Sequence, residues 1–232
     1  MRIGIAGDIH GNAAALRAVS AAARRRGVDA LLLTGDFVGY YYRPAEVLAE
    51  IDRWEHWGIQ GNHERMLDDA AADAAAHERI VAKYGSGITV ALDELSVSQR
   101  SWLTALPVSR DIEIDGCRFR LAHGTPWDAD EYLYPDAGAD RWAALAEDGV
   151  DFVVLGHTHH RLLRQVGTTT VVNPGSVGQP RDRQPGAAWA FVDTRDRKVE
   201  LLTEAYDMQS VVEEAARRDP RLPYLQDVLV RQ

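Results

Sequence analysis

Short apolar runs that end in glycine, separated by helix-like stretches, constrain this chain most. Arg2 to Ala6 is such a run and stops at Gly7. Asn12 to Arg26 is rich in Ala, Leu and Arg and stops at Gly27, the pattern of a helix with its C-terminal glycine. Ala30 to Leu33 is the next apolar run, and Pro44 to Trp57 opens with a proline near the favoured first helical position and meets Gly58. Ile59 and Gln60 begin a third strand. This β-α-β-α-β order predicts parallel strands joined by helical crossovers.

The pattern then changes. Residues 63–84 read as one helix, with a low-complexity alanine stretch from Ala70 to Ala76 that suits a surface helix, and Ser98 to Leu103 as another. Ser109 to Ile114 and Cys117 to Ala122 flank Asp115-Gly116, a two-residue hairpin signal. Asp140 to Glu147 reads as helix and Phe152 to Leu155 as a buried strand. Strands are expected at Leu162 to Val166, Thr169 to Val172, Ala187 to Val192 and Val199 to Leu202, and a helical tail over 208–232. With no internal repeat and no linker, residues 1–232 read as one α/β domain, parallel-leaning first and antiparallel-leaning later.

The residues able to do chemistry sit where strands end. Asp8-Ile9-His10, Gly35-Asp36, Gly61-Asn62-His63-Glu64, His123-Gly124 and Gly156-His157-Thr158-His159 each follow a predicted strand. Open α/β sheets place ligands at such ends. Of eight histidines, five lie in these segments, which turns a set of ordinary hydrogen-bonding histidines into a candidate metal centre. Strand alternation would let Asp8 and His10 face one side while Ile9 packs on the other. Imidazole and carboxylate without thiolate suit Mn, Fe, Zn or Ni rather than calcium. The ligands suffice for two ions, and a pair ~3.5–4 Å apart is the arrangement that clamps a phosphoryl group.

The ordered blocks D-x-H, G-D, G-N-H-[DE], H-G and G-H-x-H, spanning residues 8–159, resemble the signature of the calcineurin-like metallophosphoesterases. Gly7 to Asn12 and Asn173 to Arg181 resemble a small bacterial branch of that family that includes phosphodiesterases. The resemblance implies a four-layer α/β/β/α sandwich. It implies Asp8, His10 and His159 on one metal, Asn62, His123 and His157 on a second, and Asp36 bridging both. His63 would serve catalysis at the leaving oxygen while a metal-bound hydroxide attacks phosphorus. Hydrolysis of a dinucleoside polyphosphate or a phosphomonoester is the alternative activity. A non-catalytic scaffold on the same fold is the alternative of another class; such scaffolds commonly lose the counterpart of His63, which is present here.

Glu64 stands where this branch more often has Asp, either orienting its neighbours or lying at the surface. The loop after Asp36, Phe37 to Pro44, also departs from the family pattern, which bears on substrate preference. Within it Tyr40, Tyr41 and Tyr42 could stack a nucleobase or simply pack. Arg181 could grip a phosphate oxygen or join a surface ion pair, Asn12 could touch phosphate or cap its helix, and Trp127 could wall the pocket or pack. Arg24 to Arg26 suit the C-terminal end of a helix.

The formal charge of −9 over 232 residues argues against a long nucleic acid as partner, yet not against one or two phosphates delivered to a cationic metal centre. The expected partner is a small phosphorylated substrate, with a second copy of the chain as a further option. The single cysteine, Cys117, rules out an internal disulfide and a cysteine-cluster metal site. Neither a signal-peptide pattern nor a run of ~20 apolar residues is present, so the expectation is a cytoplasmic protein without a membrane partner.

Overall fold

The computed structural model describes residues 1–146 and 149–231. In chain order the elements are β1 (Arg2–Ala6), α1 (Ala13–Arg25), β2 (Ala30–Leu33), α2 (Pro44–Ile51) and β3 (Glu55–Gly58). Four helices follow: α3 (Asn62–Ala72), α4 (Ala74–Tyr84), α5 (Gly87–Glu94) and α6 (Val97–Ala105). Then come β4 (Ser109–Ile114), β5 (Cys117–Ala122), α7 (Ala139–Ala143), β6 (Phe152–Val154), β7 (Arg161–Val166) and β8 (Thr169–Pro174). The chain continues through β9 (Ala187–Asp193), β10 (Lys198–Glu204), α8 (Met208–Arg218) and α9 (Tyr224–Val230).

The strands form two five-stranded mixed sheets, ordered β10-β9-β1-β2-β3 and β4-β5-β6-β8-β7. In the first, β1 pairs in parallel with β2 and antiparallel with β9. In the second, β6 runs parallel to both β5 and β8. Alternate residues explain the stacking. Ile3, Ile5, Ala30 and Leu32 of the first sheet meet Phe119, Leu121, Phe152 and Val154 of the second in one buried cluster. The opposite face of the first sheet packs on helices through residues such as Leu16, Val19, Leu31 and Leu33. The outer face of the second is covered by Leu133, Trp142 of α7 and Leu145. The result is the expected four-layer α/β/β/α sandwich.

Several boundaries differ from the sequence expectation. Helix α2 stops at Ile51, because the chain turns to let the Trp54 indole donate to Ser20 Oγ on α1 at 2.9 Å. The third strand therefore starts at Glu55, in parallel register with Ala30 of β2. The single helix expected over 63–84 breaks at Asp73, whose carboxylate accepts the N–H groups of Ala75 and Ala76 and starts α4. Helix α5 is an addition to the sequence expectation. Of the helix expected at Asp140 to Glu147, α7 ends at Ala143, and Glu147 lies outside the described residues, as does Gln232 of the tail. The hairpin at Asp115-Gly116 is present, with φ of +52° and +75°. Among the described residues no helix is long and apolar enough to cross a membrane.

Candidate metal centre

The strand ends of both sheets converge. Asp8 and His10 follow β1, Asp36 follows β2, and Asn62 and His63 open α3 after β3. From the second sheet, His123 follows β5, and His157 and His159 follow β6. Convergence does not come from strand alternation. Among the described residues nine non-glycine residues have positive φ, and five of them are Asp8, His10, Asp36, His157 and His159; Tyr40 is a sixth. Left-handed turns just past the strands aim these side chains inward, at a cost of order 1–3 kcal/mol each.

Backbone bonds hold that strain. Asp36 carbonyl oxygen accepts the N–H groups of both Ile9 and His10 at 2.8 Å. The Asp8 carboxylate accepts the His157 N–H at 3.1–3.2 Å, joining the two sheets. Asn173 Nδ2 donates to the Gly156 carbonyl at 2.7 Å and so fixes the turn that carries His157 and His159. Gly61 lies close against two of these side chains. A Cβ there would lie 2.2 Å from Asp36 Oδ1 and 2.7 Å from His123 Cε1, so only glycine fits.

The donor atoms fall into two groups. In one, His10 Nε2 and His159 Nε2 lie 3.1 Å apart, His159 Nε2 lies 3.3 Å from Asp8 Oδ1, and His10 Nε2 lies 3.6 Å from Asp36 Oδ2. In the other, His123 Nε2 lies 3.1 Å from both Asn62 Oδ1 and His157 Nδ1, and 3.4 Å from Asp36 Oδ2. Asp36 Oδ2 thus borders both. Two donors on one transition-metal ion, each ~2.1 Å from it, stand about 3.0–3.4 Å apart. All of these spacings except the 3.6 Å one between His10 and Asp36 fall in that range.

Each histidine's other ring nitrogen abuts a backbone carbonyl: Val38 for His10, Gln179 for His159, Thr34 for His123 and Asp130 for His157, at 2.6–3.3 Å. A carbonyl only accepts, so that nitrogen carries the proton and the inward one presents a lone pair. Lone pairs facing each other at 3.1 Å call for a cation between them. The residues therefore fit a metal.

Electrostatics agree. Burial pushes the pKa of His10 and His159 well below the ordinary imidazole value and that of His157 to about 4, keeping them neutral as ligands must be. Burial also works on His123, but Asp36 and Asp8 outweigh it and hold the group up to about 9. The carboxylates thus favour a proton on His123 at the place where a bound cation would stand instead.

His63 sits beside this cluster. Its N–H donates to Asp36 Oδ1 at 2.8 Å, and its ring lies 4.6 Å from that of His10. It is buried, and its Nδ1 has no hydrogen-bond partner among the described residues. The Tyr40 and Tyr84 rings lie 4.8 and 5.3 Å from it. Burial lowers its pKa.

The remaining candidates divide. Arg181 comes to the cluster's edge and donates from Nη2 to Tyr40 Oη and Gln179 Oε1, both at 2.9 Å and both uncharged. Tyr40, Tyr41 and Tyr42 are buried, all three within an apolar cluster that includes Leu225 and Val228 of α9, so they present no open stacking face. Asn12 caps α1: its Oδ1 accepts the Ala15 N–H, and its Nδ2 donates to the Gly178 carbonyl and Tyr206 Oη. Trp127 is exposed at the surface, with its indole donating to Glu131. Arg24 and Arg25 pair with Glu50 and Glu204. Glu64 is fully buried and works as an orienting group. Tyr132, whose ring lies 3.9 Å from that of His157, and Tyr84 also border the cluster, and in the sequence neither adjoins a motif.

A sequence model of the calcineurin-like phosphoesterase superfamily domain matches residues 1–197. The chain belongs to the calcineurin-like phosphoesterase superfamily. It is 29% identical to an uncharacterized protein of Methanocaldococcus jannaschii over 95% of this chain and 93% of that one. Among solved structures, a metallophosphoesterase from Sphaerobacter thermophilus superposes with a TM-score of 0.74 at 25% identity, covering 98% and 99% of the two chains. A hypothetical protein from Pyrococcus horikoshii shares the fold with a TM-score of 0.82 at 20% identity, covering 97% of each. As a member of this superfamily the chain is a hydrolase for phosphoester bonds. Asp8, His10, Asp36 and His159, with donor atoms all within 4.8 Å of one another, form a possible metal site.

Proposed function

We propose that this phosphoesterase works with two metal ions and hydrolyses a small phosphorylated substrate, a diester in preference to a monoester. The observation that carries this reading is the pair of donor groups sharing Asp36 Oδ2. Asp8, His10 and His159 would hold one ion, Asn62, His123 and His157 the other, with Asp36 between them. Divalent or trivalent Mn, Fe, Zn or Ni suits these ligands. When bound, the ions lower the pKa of a water and draw off charge from the phosphoryl oxygens.

The chain's own residues do the rest. Asn62 contributes an amide oxygen, adding a donor without another negative charge. Arg181, whose guanidinium bonds among the described residues go to neutral acceptors in Tyr40 and Gln179, keeps its positive charge available for a phosphoryl oxygen. His63, anchored through its backbone to Asp36, faces the substrate and stabilises or protonates the leaving oxygen. The acidic balance of the chain favours a small substrate over a long polyanion.

Asp36→Asn tests the reading. The protein should fold, bind at most one metal ion per chain and lose turnover of bis-p-nitrophenyl phosphate by roughly 10²-fold or more. Full metal-dependent activity in this variant would remove the bridge and with it the two-metal reading.

A further inference from the structure

Helices α8 and α9 lie beyond residue 197, where the family match ends, yet they reach the rim of the metal centre. Asp219, at the end of α8, accepts hydrogen bonds from Tyr42 Oη at 2.7 Å and from the Ser86 N–H and hydroxyl at 2.9 Å. Tyr41 Oη donates to the Leu225 carbonyl of α9 at 3.0 Å. Just past α9, Arg231 Nη2 donates to the Arg181 carbonyl at 3.2 Å. These bonds tie down two segments that border the ligands. The Tyr41 N–H donates to the His10 carbonyl at 3.0 Å, and Arg181 bonds to Tyr40 Oη at 2.9 Å. The Tyr40 ring in turn stands 4.6 Å from that of His10.

Arg181 is long and flexible, and fixing it beside the cluster carries an entropic cost that its neighbours must offset. Tyr40 and Gln179 orient its guanidinium. Tyr40 is followed directly in the chain by Tyr41 and Tyr42, which α9 and Asp219 hold. We propose that α8 and α9 act as a clamp that presents Arg181 to the substrate's phosphoryl oxygen, with Asp219 a positioning residue for phosphate recognition. This rests on the phosphoesterase reading above and adds to it the part of the chain that sets substrate affinity.

The test uses the full-length, Mn²⁺-loaded protein. Binding of inorganic phosphate is measured by calorimetry, and KM and kcat for bis-p-nitrophenyl phosphate are measured alongside. Arg181→Ala should weaken phosphate binding about tenfold, the size expected for losing a charged hydrogen bond. Asp219→Ala should weaken it about fivefold, raise KM more than it lowers kcat, and leave metal content unchanged. In the Asp219→Ala background, Arg181→Ala should cost no more than about a further twofold, because the two act through one contact. Tyr42→Phe removes the same bond from its other end and replaces Asp219→Ala if that variant fails to fold. Wild-type phosphate affinity in both Asp219→Ala and Tyr42→Phe, or fully additive costs, would overturn the clamp while leaving the phosphoesterase reading intact. If the wild-type protein neither binds phosphate nor hydrolyses any ester, the phosphoesterase reading fails, and the clamp fails with it.

Discussion

The carboxylate of Glu64 accepts the backbone N–H of Asp36 at 2.8 Å. The same oxygen accepts the Gly61 N–H, and the other accepts the Phe37 N–H, each at 2.8 Å. One buried side chain therefore locks the ends of β2 and β3 together under the candidate bridging ligand. Burial, with the Asp36 charge adding to it, pushes Glu64 up to about 7. Glu64→Gln keeps the shape but puts an NH₂ group against a backbone donor. The expected loss is about 1–3 kcal/mol, a fall of several degrees in Tm, with weaker metal retention. An unchanged melting curve would show that the three bonds do not need a carboxylate.

Gly39 is pressed against His63. It has φ of +91°, and a Cβ built on it would sit 2.0 Å from His63 Nδ1. Gly39→Ala should therefore displace the His63 ring and mimic His63→Ala. Both variants should lower kcat by about 10²-fold with metal stoichiometry unchanged. Loss of metal from His63→Ala would instead make His63 a ligand.

Chelation should destabilise the protein. The inward lone pairs and the carboxylates of Asp8 and Asp36 converge only in the folded chain, so a bound ion stabilises that state by mass action. At free metal a thousandfold above Kd the gain is about 4 kcal/mol per site. Differential scanning calorimetry with EDTA, then with excess Mn²⁺, should show Tm fall and recover. A Tm indifferent to both would exclude tight binding.

Asn12→Ala separates a cap from a phosphate contact. Losing the bond to Ala15 should cost about 1 kcal/mol of stability and a few degrees of Tm. Turnover of bis-p-nitrophenyl phosphate should stay within about twofold. The reverse result, normal melting with a large rise in KM, would place Asn12 on the substrate.

Much of this architecture is legible in the sequence because local rules decide it. Arg2 to Ala6 is apolar and ends at Gly7, and β1 occupies those residues. Asp115-Gly116 turns a hairpin because both positions adopt positive φ. All seven ligand candidates come from motifs at strand ends, and the structure gathers them. Other features rest on contacts that no local rule contains. Helix α2 ends early because of Ser20, far away in sequence. The carbonyls of Val38, Thr34, Asp130 and Gln179 orient the histidines, and every residue type has a carbonyl. Tyr40 to Tyr42 look like an aromatic surface until α9 covers them. The left-handed turns at Asp8 and His10 replace the strand alternation that their spacing suggests.

The donors come from two sheets that meet face to face. Asp8, His10, Asp36 and Asn62 belong to the first half of the chain, whereas His123, His157 and His159 belong to the second. An ion held by both would act as a rivet through the seam between the sheets. Neither half can assemble the site alone, and Asp8 meets His157 across 149 residues of chain. Competence for chemistry is then acquired late in folding, once the sheets have docked, so the appearance of activity during refolding would time that docking event.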